Sequence, residues 1–174
     1  TETVAGQGAG QRLAEGRAKK LPCTVHDAGH IGLEQRCDGA AEAFGGSFEK
    51  LQVDLANPQG IEATVKSKLL GDNSFDAVLS LNPTVTTATL AGMEAAGSTA
   101  ELASFDIDTD VLQAIKDDKV AFTVDQQQYL QGYLAIVFLV LNHDNLNTVG
   151  GGLPVLTGPA FVTADNVDEI VKPV

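Results

Sequence analysis

Polar side chains follow five short apolar runs of the sequence, and they are of the types that bind neutral ligands. Carboxylates and amides exchange hydrogen bonds with hydroxyl groups, and an aromatic ring can stack on the apolar face of a sugar. If the apolar runs are neighbouring parallel strands, these groups meet at one edge of a sheet, where open α/β folds bind ligands. The pairs are His26-Asp27, Asp54-Leu55, Asn82-Pro83, Phe105-Asp106 and Asp125-Gln126.

A second pattern raises the alternative of a metal site. Cys23, His26 and His30 stand at C-x2-H-x3-H spacing, and Cys37 or Asp27 would have to supply a fourth zinc ligand. Because alternate residues of a strand point to opposite faces, convergence of these side chains is disfavoured. Polar residues that form a turn at the end of a strand are the simpler interpretation, so we expect no metal.

Signatures of covalent catalysis and of cofactor binding are absent from the sequence. No G-x-S-x-G segment occurs, and Cys37 falls inside a predicted helix, where burial is the default. The segment Gly6-Gln-Gly-Ala-Gly10 resembles part of a dinucleotide-binding loop, but no strand precedes it and a correctly spaced third glycine is missing. We therefore expect neither an enzyme nor a cofactor.

Charge and hydropathy exclude two classes of partner. The 174 residues carry 23 acidic and 11 basic side chains, for a formal net charge of −12. Nucleic acids and anionic membranes both reward clustered lysine and arginine, so neither is expected as a partner. No run of about 18 apolar residues is present, which predicts no membrane insertion.

The apolar spacing predicts strands that alternate with helices. Five such alternations imply parallel pairing through right-handed crossovers, and hence an α/β fold: a three-layer α/β/α sandwich with a mostly parallel sheet, of Rossmann or flavodoxin type. After residue 142 a polar, glycine-rich loop leads to an extended segment at 155–163. The predicted strands are 21–26, 48–54, 76–81, 101–105 and 119–124, and the predicted helices are 9–20, 29–44, 58–70, 84–96, 110–116 and 126–142.

Several blocks resemble the sugar-type periplasmic binding proteins of ABC transporters, of the ribose-binding kind. The quoted blocks are CTVHDAGH from Cys23, LEQRCDG from Leu33, DQQQYLQGY from Asp125 and LTGPAFVT from Leu156. The resemblance runs from Gly6 onwards and corresponds mainly to the C-terminal lobe, so the N-terminal lobe is largely missing. The sequence departs from the family at three positions: Gln128 replaces a proline, His30 an asparagine, and Ala40 a phenylalanine.

This resemblance implies a fold and a function. The fold is a lobe of the periplasmic binding protein-like I type, and the domains are residues 1–126 as the ligand-binding lobe, 127–152 as a hinge-crossing helix and loop, and 153–174 as a closing strand and C-terminal segment. In the family two lobes close on one monosaccharide and deliver it to a membrane permease. The alternative is a stand-alone structural or sensory module of the same fold that dimerises and binds sugar weakly or not at all.

The resemblance also implies ligand contacts at five positions. Arg36 would donate to ring or hydroxyl oxygens, and Asn82 would offer both a donor and an acceptor. Asp106 would accept from sugar hydroxyls, and Gln126 would complete the polar ring near the hinge. Phe105 is a weaker candidate for lining the pocket.

Two further expectations concern redox state and partners. Cys23 and Cys37 fit either one disulfide or two buried thiols. The resemblance implies a periplasmic or extracellular protein, which favours the disulfide, although no signal peptide is present in this chain. Residues 130–141 are so apolar that the predicted helix needs a partner. We expect it to pack on the missing N-terminal lobe, to fold back on the sheet, or to lie in a homodimer.

Overall fold

The computed structural model describes residues 1–170, and a mostly parallel six-stranded sheet lies at their centre. The strands are β1 (Lys20–Val25), β2 (Ser47–Gln52), β3 (Ala77–Ser80), β4 (Glu101–Phe105), β5 (Phe122–Asp125) and β6 (Ala160–Thr163). Their order across the sheet is β2-β1-β3-β4-β5-β6. All neighbours from β2 to β5 pair in parallel, and only β6 runs antiparallel, against β5.

Helices connect the strands and cover both faces of this sheet. They are α1 (Glu2–Glu15), α2 (Ile31–Phe44), α3 (Pro58–Gly71), α4 (Pro83–Ala96), α5 (Thr109–Lys116), α6 (Gln128–Asn145) and α7 (Val167–Ile170), with a 3-10 turn at Gly150–Gly152. The predicted fold class, an α/β sandwich with a mostly parallel sheet, is therefore confirmed. The last four residues of the predicted closing segment, 171–174, lie outside the described residues.

Local sequence signals fix where several of these helices begin and end. Asn57 caps α3 by accepting a hydrogen bond from Gly60 N at 3.0 Å, and a proline follows it at the first helical turn. Asp108 caps α5 in the same way through Val111 N, at 2.7 Å. At its other end α4 stops at Gly97, whose φ of 64° suits a residue without a Cβ.

The core has two halves, one on each face of the sheet. On one face α1 and α2 cover β1 and β4, with Leu13, Leu21 and Phe105 fully buried between them. On the other face α3, α4 and α5 bury Ile61 and Val85 against the sheet. Because β3 is buried on both sides, all four of its residues are inaccessible, as in the centre of a parallel sheet.

The first helix differs from its prediction, which gave residues 9–20. It runs instead from Glu2 to Glu15, and residue 20 already belongs to β1. Glycines at positions 6, 8 and 10 lower the intrinsic helix propensity of this segment. In the structure Gly6 and Gly10 let the α1 backbone approach α2, because a Cβ at Gly10 would lie 2.2 Å from the carbonyl oxygen of Ala40. Tertiary packing therefore outweighs local propensity here.

A disulfide joins strand β1 to helix α2. Cys23 of β1 and Cys37 of α2 are bonded, with their Cα atoms 6.0 Å apart, and both side chains are fully buried. The bridge closes a loop with a sequence separation of 14 residues, which restricts the unfolded chain. It also ties α2, which carries Arg36, to β1.

The longest helix, α6, does not fold back on the sheet, so that part of our expectation is wrong. None of its residues is buried within the described chain. Tyr129, Tyr133, Ile136 and Val140 lie exposed along one side of the helix, and we call these four residues the α6 stripe. Within residues 1–170 no helix has the length and apolarity needed to cross a membrane.

The close approach of α1 and α2 makes a testable prediction with a matched control. Gly10→Ala should lower the free energy of unfolding by about 1–3 kcal/mol, because the new methyl meets rigid backbone at Ala40. Gly132→Ala, in α6, meets nothing within 4 Å and should leave stability unchanged or raise it by up to about 1 kcal/mol. Urea unfolding of both variants measures the difference, and equal stabilities would contradict the packing argument.

Candidate ligand-binding site

The carboxyl ends of the parallel strands gather a cluster of polar side chains at one edge of the sheet. Three of the predicted residues are in direct contact there. Gln126 Nε2 donates to Asp106 Oδ1 at 2.6 Å, and Arg36 Nη1 lies 3.8 Å from Asp106 Oδ2. The cluster draws on α2, the end of β4 and the end of β5, so only the parallel topology brings it together.

Arg36 is held from four directions. Its Nε contacts the carboxylate of Glu2, and its Nη1 donates to the carbonyl oxygen of Leu81 at 3.3 Å as well as facing Asp106. The guanidinium carbon lies 4.9 Å from the centre of the Phe105 ring, within range of a cation–π interaction. Among residues 1–170 Nη2 makes no hydrogen bond, so its two hydrogens remain for a ligand.

Asp106 is fixed by its backbone as well as by its side chain. Its φ of 65° lies in the left-handed region, which a residue other than glycine occupies at a cost. The surrounding bonds hold it there: Asp106 N donates to Val124 O at 2.8 Å, and Thr123 Oγ1 donates to Asp106 O at 2.6 Å. The carboxylate is thereby presented at the edge of the sheet, 22% exposed.

Phe105 does not line the site, which corrects its predicted role. The side chain is fully buried in the core between the sheet and the two helices α1 and α2. Odd and even residues of a strand face opposite sides, and in β4 this alternation places Phe105 on the face that α1 and α2 cover. Its ring supports the guanidinium of Arg36 from below, so it has no free face on which a sugar could stack.

Asn82 is also placed differently from its prediction, which gave it a free donor and a free acceptor. It caps α4, because its Oδ1 accepts from Thr84 N at 2.9 Å and from Val85 N at 3.4 Å. The oxygen is therefore committed to the helix, as expected for asparagine before a helix that starts with proline. Only the amide Nδ2 of Asn82 remains to serve a ligand.

Two residues of the cluster were missed by the sequence argument. Glu2 reaches Arg36 from α1, and Gln128 Nε2 donates to Asp106 Oδ1 at 2.7 Å from the first residue of α6. Glu2 carries no signal in the sequence, because it contacts a residue 34 positions away through helix packing. Gln128 did carry one, since it replaces a proline of the family and thereby supplies a side-chain donor.

His26 follows directly after β1 at the same edge of the sheet. Its Nδ1 is buried and has no hydrogen-bond partner in the described part of the chain. Burial lowers the pKa of His26 below 6.5, and the positive charge of Arg36 lowers it further. Asp27 raises the pKa by a smaller amount, and His30 lowers it by a still smaller one. The imidazole is therefore neutral at neutral pH, and a neutral imidazole both donates and accepts hydrogen bonds.

A cavity beside α6 only borders this cluster. It measures about 510 Å³, and Glu2 and Gln126 lie on its rim. Most of its wall is apolar and comes from α6 and the segment after it, with Leu134, Phe138 and Val155 among the lining residues. Because the chemistry of a polyhydroxylated ligand needs convergent polar groups, we assign the cavity to the apolar surface of α6 and the site to the strand-end cluster.

The zinc alternative fails on the state of the cysteines. Cys23 of the C-x2-H-x3-H pattern is bonded to Cys37, one of the two residues that could have supplied the fourth ligand. Neither cysteine is therefore available as a zinc-binding thiolate. Within residues 1–170 no three histidine, cysteine or acidic side chains converge as metal ligands would.

The fold is a lobe of open α/β type with a polar cluster at the carboxyl edge of its sheet. A family model described as periplasmic binding protein domain matches residues 1–143. The chain therefore belongs to the periplasmic binding protein family, whose members bind substrates and are not enzymes. A search of curated proteins found no match.

Solved structures agree with this family. A carbohydrate transporter from Acidothermus cellulolyticus 11B, in complex with myo-inositol, is 37% identical, with a TM-score of 0.90 over 98% of this chain. A periplasmic sugar-binding protein of an ABC sugar transporter from Legionella pneumophila is 25% identical, with a TM-score of 0.75 over 90% of this chain. The arabinose-binding protein AraP from Geobacillus stearothermophilus, 20% identical over 99% of this chain, shares the fold with a TM-score of 0.81.

The chain spans about three fifths of the length of these structures. It covers 59% of the Acidothermus chain, 60% of the Legionella chain and 64% of AraP. The similarity to each of these structures therefore covers only part of that structure's chain.

The lowered pKa of the half-buried His26 predicts how the stability of the chain depends on pH. Below 6.5 the unfolded chain binds a proton that the folded chain resists, so stability falls as the pH drops through that range. Between about pH 7.5 and pH 5.5 the wild type should lose more unfolding free energy than His26→Gln. Urea unfolding at each pH measures this, with His143→Gln, an exposed histidine of α6, as the control. Identical pH dependence in wild type and His26→Gln would contradict the assignment.

Proposed function

We propose that this chain is a lobe of the substrate-binding component of a bacterial ABC sugar importer. It recognises a neutral, monosaccharide-like polyol without covalent chemistry. The observation that carries the proposal is the contact of Arg36, Asp106 and Gln126 at the carboxyl edge of a parallel sheet. This is the place where open α/β folds bind ligands.

The chemistry of the cluster supports a neutral polyol. Arg36 keeps the hydrogens of Nη2, Gln126 keeps its side-chain oxygen Oε1, and Asp106 keeps much of Oδ2, so donors and acceptors lie together on a small surface. A hydroxyl group both donates and accepts, and it can therefore satisfy either kind of partner. The bound myo-inositol in the Acidothermus structure is a ligand of this chemical class.

The same family membership supports a partner lobe, a membrane permease and a periplasmic or extracellular location. We propose residues 1–126 as the binding lobe, 127–152 as the hinge-crossing helix and loop, and 153–174 as the closing segment. The strand-end cluster is open to solvent on one side, as one jaw of a clamp would be. A ligand would then be enclosed only when a second lobe closes over it.

The α6 stripe supports the second lobe independently of the site. A row of apolar side chains that includes Ile136, 63% exposed, and Tyr129, 86% exposed, is a surface that folding alone leaves uncovered. The two tyrosine rings stack with centroids 6.3 Å apart, which makes a flat aromatic surface at the start of the helix. We propose that this stripe packs on the second lobe.

A titration tests the proposed site. The wild-type chain should bind at least one member of a panel of monosaccharides and myo-inositol, with affinity in about the millimolar range because one jaw buries little of the ligand. Asp106→Ala combined with Gln126→Ala should abolish this binding, as followed by NMR chemical shifts.

The matched control is Asp110→Ala with Gln113→Ala, which removes the same residue types from α5. This variant should bind like the wild type. Binding that survives unchanged in the Asp106 and Gln126 double variant would contradict the site, and no binding by the wild type at any accessible concentration would contradict the function.

Self-association tests the proposed role of α6. Without a second lobe the chain should associate through the α6 stripe as its concentration rises, and Ile136→Glu should reduce this because a charge opposes burial. Sedimentation velocity measures the association, and Asn145→Asp, at the end of the same helix, is the control. A compact monomer that does not associate and binds no hydrophobic dye would contradict the proposal.

A further inference from the structure

The cluster at the edge of the sheet contains more negative than positive charge. Arg36 contributes one positive charge, while Glu2 and Asp106 contribute one negative charge each. Arg36 is only 12% exposed in its side chain, so the balance is set by protein groups more than by water. The donor that meets the ligand is therefore a guanidinium whose charge its neighbours more than cancel.

Glu2 reaches Arg36 because of the close packing between α1 and α2. Residues 2, 6 and 10 share one face of α1, at the i, i+4 spacing of a helix. A Cβ at Gly6 would lie 2.1 Å from the carbonyl oxygen of Arg36, so the α1 backbone rests directly on the residue that Glu2 pairs with. The contact between Glu2 and Arg36 Nε thus belongs to the helix–helix interface and is not a chance meeting of surface chains.

The contact between Glu2 and Arg36 also decides which N–H groups of Arg36 remain free to bind a ligand. Glu2 contacts Nε, one hydrogen of Nη1 is donated to the carbonyl oxygen of Leu81, and Nη1 also lies 3.8 Å from the Asp106 carboxylate, an ion-pair distance. An anionic ligand would gain most from a bidentate contact that uses two nitrogens of the guanidinium. Nε is taken by Glu2, and a carboxylate that bridged Nη1 and Nη2 would have to lie beside the negative charge of Asp106. A hydroxyl group bound at Nη2 meets no such repulsion, so this edge suits a hydroxyl better than a carboxylate.

We propose that Glu2 is a specificity-determining residue of this site, one that acts through Arg36. By pairing with the guanidinium it cancels the positive charge and blocks the bidentate edge, so the lobe selects uncharged polyols over sugar acids. The inference rests on the proposed function, since it assumes that a polyol binds at this edge. It goes beyond that function in assigning the rejection of anionic ligands to one side chain.

The test compares neutral sugars with their carboxylate analogues. We expect the wild type to bind neutral members of a panel of myo-inositol, D-glucose and D-galactose, and to bind D-glucuronate and D-galacturonate at least about tenfold more weakly than Glu2→Gln does. Glu2→Gln keeps an oxygen for Arg36 Nε while removing the charge, so its affinity for the neutral ligand should stay within about threefold of wild type. NMR titration at low salt measures both affinities.

Two further variants separate charge from structure. Glu15→Gln changes the net charge of the chain by the same amount at the far end of α1 and should not alter selectivity. Glu2→Ala also removes the oxygen, so it should lose the protected Arg36 Nε–H resonance that wild type and Glu2→Gln retain. A structural role alone would change stability without changing the preference between neutral and acidic sugars.

The outcomes distinguish the inference from the function. If the wild type binds a neutral polyol and Glu2→Gln binds the sugar acids no better than wild type does, the role of Glu2 is wrong and the proposed function stands. An equal gain in Glu15→Gln would also overturn it, because the effect would then come from net charge. If the wild type binds no polyol, the proposed function fails and the inference falls with it.

Discussion

The structure depends on the need to satisfy one largely buried guanidinium. A cation that is removed from water requires opposite charge and hydrogen-bond acceptors close by. Arg36 meets this need through Glu2 from α1, the carbonyl of Leu81 after β3 and Asp106 after β4, with Phe105 beneath it. Three separate parts of the chain are therefore tied together at the edge where a ligand would bind.

Two devices hold α2, and hence Arg36, in place. The disulfide between Cys23 and Cys37 joins α2 to β1 one residue away from Arg36, inside the core. On the opposite side Gly6 and Gly10 let α1 approach α2 closely enough for backbone to touch backbone. A recognition group supported in this way keeps its geometry without the ligand, which lowers the entropy cost of binding.

The two ends of the chain differ in how much of their apolar surface is buried. The sheet and the helices α1 to α5 bury a continuous core on both faces. Helix α6 buries none of its residues, although its sequence is as apolar as that of a core helix. An exposed apolar helix of this composition favours packing, and the second lobe is the partner that we propose for it.

Much of the fold followed from local patterns. Alternating strand and helix signals predicted the parallel sheet, because such alternation requires crossovers, and in the structure Asn57 and Asp108 cap helices that begin within one residue of their predicted starts. The start of the first helix, predicted at residue 9, was wrong because glycine disfavours a helix when only intrinsic propensity is considered. Its actual role, close approach to α2, depends on a neighbour about 30 residues away.

The candidate site, like the fold, was predicted only in part from the sequence. The sequence by itself determined that Asp106 and Gln126 stand at the ends of strands, since strand boundaries are local properties, while Arg36, which lies inside α2, was indicated by the family resemblance. Only the tertiary structure decided that Phe105 is buried on the face covered by α1 and α2 and that Asn82 Oδ1 caps α4. The same holds for the pairing of Glu2 with Arg36. These outcomes are set by which face of a strand is covered and which helices touch, and both arise from contacts between residues far apart in the chain.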